Sequence, residues 1–150
     1  MQLDLTGRHA LVCGASQGIG RASAIELAGL GASVTLLARS SDALETVAGS
    51  LLRTHAAQRH GWCSVDMLDT ARLQATATGI AAGAPVHILI NNSGGPPGGP
   101  AFSAEPAAFE AAFRQHLLAG QVLLQALLPG MRESGYGRIV NVISTSVKEP

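Results

Sequence analysis

Five short apolar runs, separated by stretches with helical periodicity, constrain this chain more than any other feature. The runs are His9–Cys13 (HALVC), Ser33–Ala38 (SVTLLA), Trp62–Val65, Val86–Ile90 (VHILI) and Arg138–Ile143 (RIVNVI). Between them, helices are predicted over Gly18–Leu30, from Ser40 or Ser41 to about His55, from Asp69 to Ala82, and from Glu105 to about Glu133. Gly31 is suited to end the first of these, because glycine readily takes the left-handed conformation past a helix C-terminus. Strands alternating with helices imply βαβ units and a parallel sheet. Runs that are apolar almost throughout fit strands covered on both faces. Right-handed crossovers then leave a Rossmann-type, doubly wound α/β sheet as the expected fold. With 47% hydrophobic and only 13% charged residues, residues 1–150 have the apolar content for one packed domain. No internal repeat or linker divides them.

Charge and cysteine usage narrow the function. Ten basic residues balance ten acidic ones, so no basic face is implied and nucleic acid is an unexpected partner. No apolar stretch approaches the ~20 residues of a membrane span, and the run from Val122 to Leu128 is broken by Gln125. The N-terminal MQLDLTGRHALV lacks the pattern of a secretory signal. Cys13 and Cys63 lie in or beside strand-like segments and read as small buried hydrophobes. His9, His55, His60 and His87 have no metal-like spacing, so no metal site is expected. A soluble, cytoplasmic protein is the expectation.

The first run leads directly into Gly14-Ala15-Ser16-Gln17-Gly18-Ile19-Gly20 and then a helix. Glycines there let the backbone turn tightly and approach a pyrophosphate. The helix N-terminus adds unpaired N–H groups and a positive dipole end. A glycine-rich turn in that context points to a bound nucleotide, against the plainer reading of a tight turn.

The spacing GxxxGxG resembles the TGxxxGIG turn of the short-chain dehydrogenase/reductase family. Asn91-Asn92-Ser93-Gly94 is similar to that family's NNAG, and Gly137–Ser144 (GRIVNVIS) to its GRIVNISS. The resemblance spans the whole chain and looks closest to the 3-oxoacyl-acyl-carrier-protein reductase-like branch. It implies an oxidoreductase that moves a hydride between a nicotinamide cofactor and a small-molecule carbonyl or secondary alcohol.

The same resemblance assigns candidate roles. Gly14, Ser16, Gln17, Gly18, Ile19 and Gly20 would cradle the pyrophosphate. NAD-binding relatives carry an acid at the end of the second strand, where this chain has Ala38 followed by Arg39. A neutral residue beside a guanidinium suits a 2′-phosphate, so NADP(H) is expected over NAD(H). The alternative for Arg39 is an ordinary solvated side chain. Arg21 can add positive charge. Asp66 would accept from the adenine amino group, with Met67 offering a backbone contact; the alternative for Asp66 is a helix cap. Asn92, Ser93 and Gly94 would wall the nicotinamide ribose, while Asn91 would tie strand ends together. Ser144 would hydrogen-bond the substrate carbonyl, with Thr145 and Ser146 as neighbours of no such role.

Departures from the family pattern matter as well. His116 falls where relatives carry an asparagine that holds a relay water; it can do the same or simply fill space. Cys13 replaces a threonine. The family's Tyr-x-x-x-Lys pair is expected roughly a dozen residues after the serine, past Pro150, so the portion in hand is expected to lack the proton donor. The sheet is likewise expected to be truncated after the fifth strand. Tyr136, in the turn before that strand, has Val140 four residues on and is no substitute. The loop GGPPGGP (residues 94–100) reads either as a wall beside the nicotinamide or as a surface excursion. The long helix over 105–133 is the expected homo-oligomer interface. Non-catalytic NADP(H) binding, or a fragment that depends on a partner chain, is the competing reading.

Overall fold

A computed structural model of the chain describes residues 3–95 and 98–144. Strands β1 (His9–Cys13), β2 (Ser33–Ala38), β3 (His60–Ser64), β4 (Ile88–Asn91) and β5 (Arg138–Asn141) form one sheet. Their spatial order is β3-β2-β1-β4-β5, and every neighbouring pair is parallel. The helices are α1 (Gly18–Gly29), α2 (Ser41–Ser50), α3 (Thr70–Gly83), α4 (Pro106–Phe113) and α5 (Ala119–Glu133). This is the Rossmann-type sheet that the alternating pattern predicts.

Successive strand residues point to opposite faces, and β1, β2 and β4 are buried on both. The edge strand β5 is exposed along its length and β3 is only half-buried, contrary to the expectation from their apolar runs. Ala10, Val12, Val34 and Leu36 face α1 and α2, against Ala24, Ala28, Leu44 and Val47. Leu11, Cys13, Leu37 and Leu89 face the other way, against Leu73 and Ala77 of α3 and Leu123 and Leu127 of α5. Each fully buried leucine contributes about 1.5–3 kcal/mol, so both helical layers are held by apolar contact with the same strands.

The boundaries differ from expectation in informative places. The helix α2 stops at Ser50 rather than near His55, because Leu51 turns to an extended conformation and is buried. Beyond it, Thr54 and His55 bond to Gln58 and to the Gly31 carbonyl, which competes with helix continuation. Strand β3 starts earlier than expected, at His60, because its register is set by pairing with Val34–Ala38. The helical region expected over 105–133 is present as a continuous helical run from Pro106 to Glu133. A π-helical turn, Arg114–Leu118, lies within it, between α4 and α5. Gly31 has φ 97°, the left-handed conformation expected of it.

The chain lays β1, β2 and β3 outward in one direction, then crosses back to place β4 on the opposite side of β1. Such a reversal opens a crevice at the carboxyl ends of β1 and β4, where ligands bind in open α/β sheets.

Candidate active site

Two adjoining grooves lie over that crevice. The first, of about 590 Å3, is lined by Gly14, Ser16, Gln17, Gly18 and Ile19 from the β1–α1 turn. Ala38, Arg39 and Ser40 line it from β2, Asp66 and Met67 from β3, and Asn92, Ser93 and Gly94 from β4. The second, of about 940 Å3, shares Ile19, Met67, Asn92 and Ser93 with it and extends to His116, Asn141 and Ser144. Carboxyl-end loops of all five strands therefore converge on one cleft.

Gly20 alone of the predicted cofactor residues lies outside the groove lining. It sits beneath the turn, where a Cβ would fall on the Gly14 carbonyl oxygen and 2.8 Å from the Cys13 carbonyl oxygen. Only glycine lets α1 pack this closely on the end of β1. Gly14 has φ 59°, and a Cβ there would lie 2.8 Å from the Asn92 backbone oxygen. The turn is thus shaped by close approach of backbone to backbone.

The N-terminus of α1 is chemically distinct from those of its neighbours. Its cap residue, Gln17, makes no side-chain cap bond, and no acidic residue stands in the first turn. By contrast, Ser40 caps α2 by accepting from the Ala43 N–H at 3.4 Å, and Asp69 caps α3 by accepting from the Arg72 N–H at 3.0 Å. The α1 end facing the groove therefore offers N–H groups and a positive dipole to an anion. A cradle with no room for a Cβ and an uncapped helix end both fit a bound pyrophosphate.

At the β2 end, Ala38 is buried while the Arg39 side chain is exposed along the groove. Ser64 donates its hydroxyl to the Arg39 carbonyl oxygen at 2.7 Å, tying the ends of β2 and β3 together. Arg21 is exposed on α1 and does not line either groove. Asp66 is not the α3 cap; that position belongs to Asp69. One Asp66 carboxylate oxygen accepts from the Leu68 N–H at 2.9 Å.

The far groove brings together Asn91, Ser93, Gln115, His116, Asn141 and Ser144. The Asn91 amide donates to the Asn141 side-chain oxygen at 2.8 Å, linking β4 and β5 as expected of it. Ser93 and His116 share a hydrogen bond of 2.7 Å between Oγ and Nδ1. Gln115 donates to the Gly94 carbonyl oxygen at 2.8 Å. Ser144 lies three residues past β5 and lines the same groove as His116. Thr145 and Ser146 lie outside the described residues, as do Pro96 and Pro97 of the glycine–proline loop. Sequence reasoning missed Ser40 and Gln115 as lining residues. Ser40 was legible as a helix cap but not as a groove wall, and Gln115 carries no local signal.

Both cysteine thiols are held toward their protonated form. Burial pushes the Cys13 thiol up to about 12 and raises that of Cys63. Tyr136 stands at the opposite end of the sheet, with the Arg8 guanidinium 3.9 Å from its ring centre.

Residues 8–150 match the family model described as short chain dehydrogenase. Ketoacyl reductase HetN of Nostoc sp. is 34% identical over 97% of this chain and 50% of its own length. Human retinol dehydrogenase 11 is 35% identical over 95% of this chain and 44% of its own. The chain thus spans about half the length of the curated relatives it matches. Among solved structures, L-sorbose reductase from Gluconobacter frateurii, complexed with NADPH and L-sorbose, superposes with a TM-score of 0.91 at 29% identity. That match covers 100% of this chain and 57% of the reductase. A metagenomic short-chain oxidoreductase in complex with NADP gives 0.80 at 36% identity, over 90% of this chain and 60% of that one. The glycine turn, the switch-point cleft and these matches agree: the chain belongs to the short-chain dehydrogenase family.

Proposed function

We propose that this chain is the nucleotide-binding portion of an NADP(H)-dependent oxidoreductase acting on a small-molecule carbonyl or secondary alcohol. The observation that carries the reading is one groove containing both an uncapped, acid-free α1 N-terminus and Arg39 beside a buried, neutral Ala38. The NADPH and NADP complexes of the sorbose reductase and the metagenomic enzyme support the choice of cofactor. When bound, NADP(H) supplies or accepts the hydride.

The backbone of residues 14–19 holds the pyrophosphate, and Gly20 keeps α1 close enough for it to do so. Arg39 takes the 2′-phosphate. Asp66, with its second carboxylate oxygen, accepts from the adenine amino group beside Met67. Asn92, Ser93 and Gly94 wall the nicotinamide ribose with small side chains and backbone groups. Ser144 would donate its hydroxyl to the substrate carbonyl oxygen, the atom on which negative charge develops when a carbonyl is reduced. His116 holds a water for the proton that must reach that oxygen. The exposed apolar residues Phe109, Phe113 and Leu117, spaced four apart, support self-association through the 105–133 region. The two unbridged cysteines fit a reducing, cytoplasmic compartment. Among the described residues, no helix is long and apolar enough to cross a membrane.

The test is NADPH oxidation by the full-length protein across a panel of aldehydes and ketones, with and without Ser144→Ala. The variant is expected to lose about a hundredfold or more in kcat while NADPH affinity stays within about twofold. Cofactor binding with no turnover on any substrate favours the non-catalytic module. Near-normal turnover in Ser144→Ala makes that serine a strand-end residue only.

A further inference from the structure

We propose that Ser93 is a positioning residue for His116: its hydroxyl engages Nδ1 and fixes the ring, so that Nε2 is the nitrogen serving the groove shared with Ser144. The proposal rests on the reading of this cleft as the reaction site. The bond itself, 2.7 Å between Ser93 Oγ and His116 Nδ1, joins the loop after β4 to the π-helical turn between α4 and α5. A π-helical turn carries an extra residue relative to an α-helix, and such turns recur at functional sites because they re-aim side chains. Here the neighbouring residue is engaged too. Gln115 donates to the Gly94 carbonyl oxygen, so two consecutive turn residues bond two consecutive loop residues. The turn is pinned at the carboxyl end of β4 rather than hanging over it.

The chemical consequence follows from the imidazole. A neutral ring has one donor and one acceptor nitrogen, and the partner at one decides the role of the other. With Nδ1 engaged by a hydroxyl, which can donate to a bare Nδ1 or accept from Nδ1–H, the ring keeps one orientation and Nε2 is the nitrogen left to a water or substrate oxygen in either tautomer. An exposed histidine without that partner would sample several rotamers and both tautomers. An alanine at position 93 could not make the bond at all. Ser93 thereby does two separable things: its backbone walls the nicotinamide side of the cleft, and its hydroxyl acts through His116.

Two measurements on the full-length protein test this. The first is the imidazole 15N spectrum of His116, read without cofactor. Shifts of a ring whose Nδ1 is hydrogen-bonded are expected in the native protein. Ser93→Ala should shift those resonances toward the values of a freely exchanging ring, and Ser93→Thr should restore them. The second is kinetic, with any carbonyl substrate found active. Ser93→Ala should lower kcat by about tenfold in the native background, yet by less than about twofold in a His116→Asn background. An unchanged His116 spectrum in Ser93→Ala overturns the proposal, as does a loss that is fully additive with His116→Asn. If no substrate turns over, the reaction-site reading fails while the spectrum still decides whether Ser93 holds the ring.

Discussion

The two ends of the sheet differ in what their loops leave open to solvent. At the amino end polar side chains close on backbone and on one another. The His9 N–H donates to His87 Nδ1 at 3.1 Å, the Val34 N–H to His60 Nδ1 at 3.3 Å, and His9 Nε2 pairs with Thr35 Oγ1 at 2.8 Å. Gln58 is fully buried, donating to the Ala28 and Ala32 carbonyls at 2.7 Å each and accepting from the Thr54 N–H at 2.7 Å. At the carboxyl end, the β1–α1 turn presents backbone N–H groups to a groove, Arg39 is exposed along it, and the helix that starts there lacks a side-chain cap. Side chains bond internally at both ends, as Asn91 with Asn141 and Ser93 with His116 do at the carboxyl end. What sets that end apart is a groove with an uncapped helix terminus and an exposed arginine along it.

That contrast is sharpest under substitution at the buried turn. Gly20→Ala drives a methyl onto the Gly14 carbonyl, so it should cost about 2 kcal/mol or more of stability and abolish measurable NADPH binding. Thermal melts and a fluorescence titration check both. If the variant binds normally, close backbone approach is not what shapes the cradle. Next comes Gln58→Ala at the other end. It leaves the Ala28 and Ala32 carbonyls short of a buried partner and should cost about 2–3 kcal/mol, with cofactor affinity unchanged. Coupled losses of stability and affinity would erase the proposed division between the two ends.

A smaller effect is expected from pH. Burial lowers the pKa of His9, His60 and His87 below the ordinary 6.5. Two of these rings accept backbone N–H bonds through Nδ1, which protonation would remove. The unfolded chain therefore binds more protons than the native one between the lowered values and 6.5, and stability rises with pH across that window. The melting temperature should hold above 6.5 and fall by a few degrees, roughly, as pH drops below it. The slope should lessen in His9→Asn. A flat profile would show that these rings are not held neutral by the fold.

Much of this was legible in the sequence, for identifiable reasons. Strand β2 matches its predicted bounds because Ser33–Ala38 is bracketed by Gly31 and a capping serine. The cradle was legible because glycine spacing encodes a backbone demand. The π-helical turn within the helical run over 106–133 was not, nor were the bonds of Gln115 and His116 to a loop more than twenty residues away, for which the local sequence carries no signal. Gln58 was equally silent: nothing local distinguishes a surface glutamine from one that fills two carbonyls of another segment. Arg21, at the start of α1, is exposed and lines neither groove. Local pattern reports what the backbone must do, whereas long-range side-chain bonds leave no periodic trace.

The central claim is that the carboxyl-end cleft holds NADP(H) through Arg39. The direct measurement is calorimetric titration of the full-length protein and of Arg39→Ala with NADPH and with NADH. A paired phosphate contact contributes about 1.5–3 kcal/mol, so NADPH should bind about tenfold to a hundredfold more tightly than NADH. Arg39→Ala should remove that preference while leaving NADH affinity and the melting temperature nearly unchanged. Equal affinities for the two cofactors in the native protein, or undiminished NADPH binding in the variant, would contradict the account.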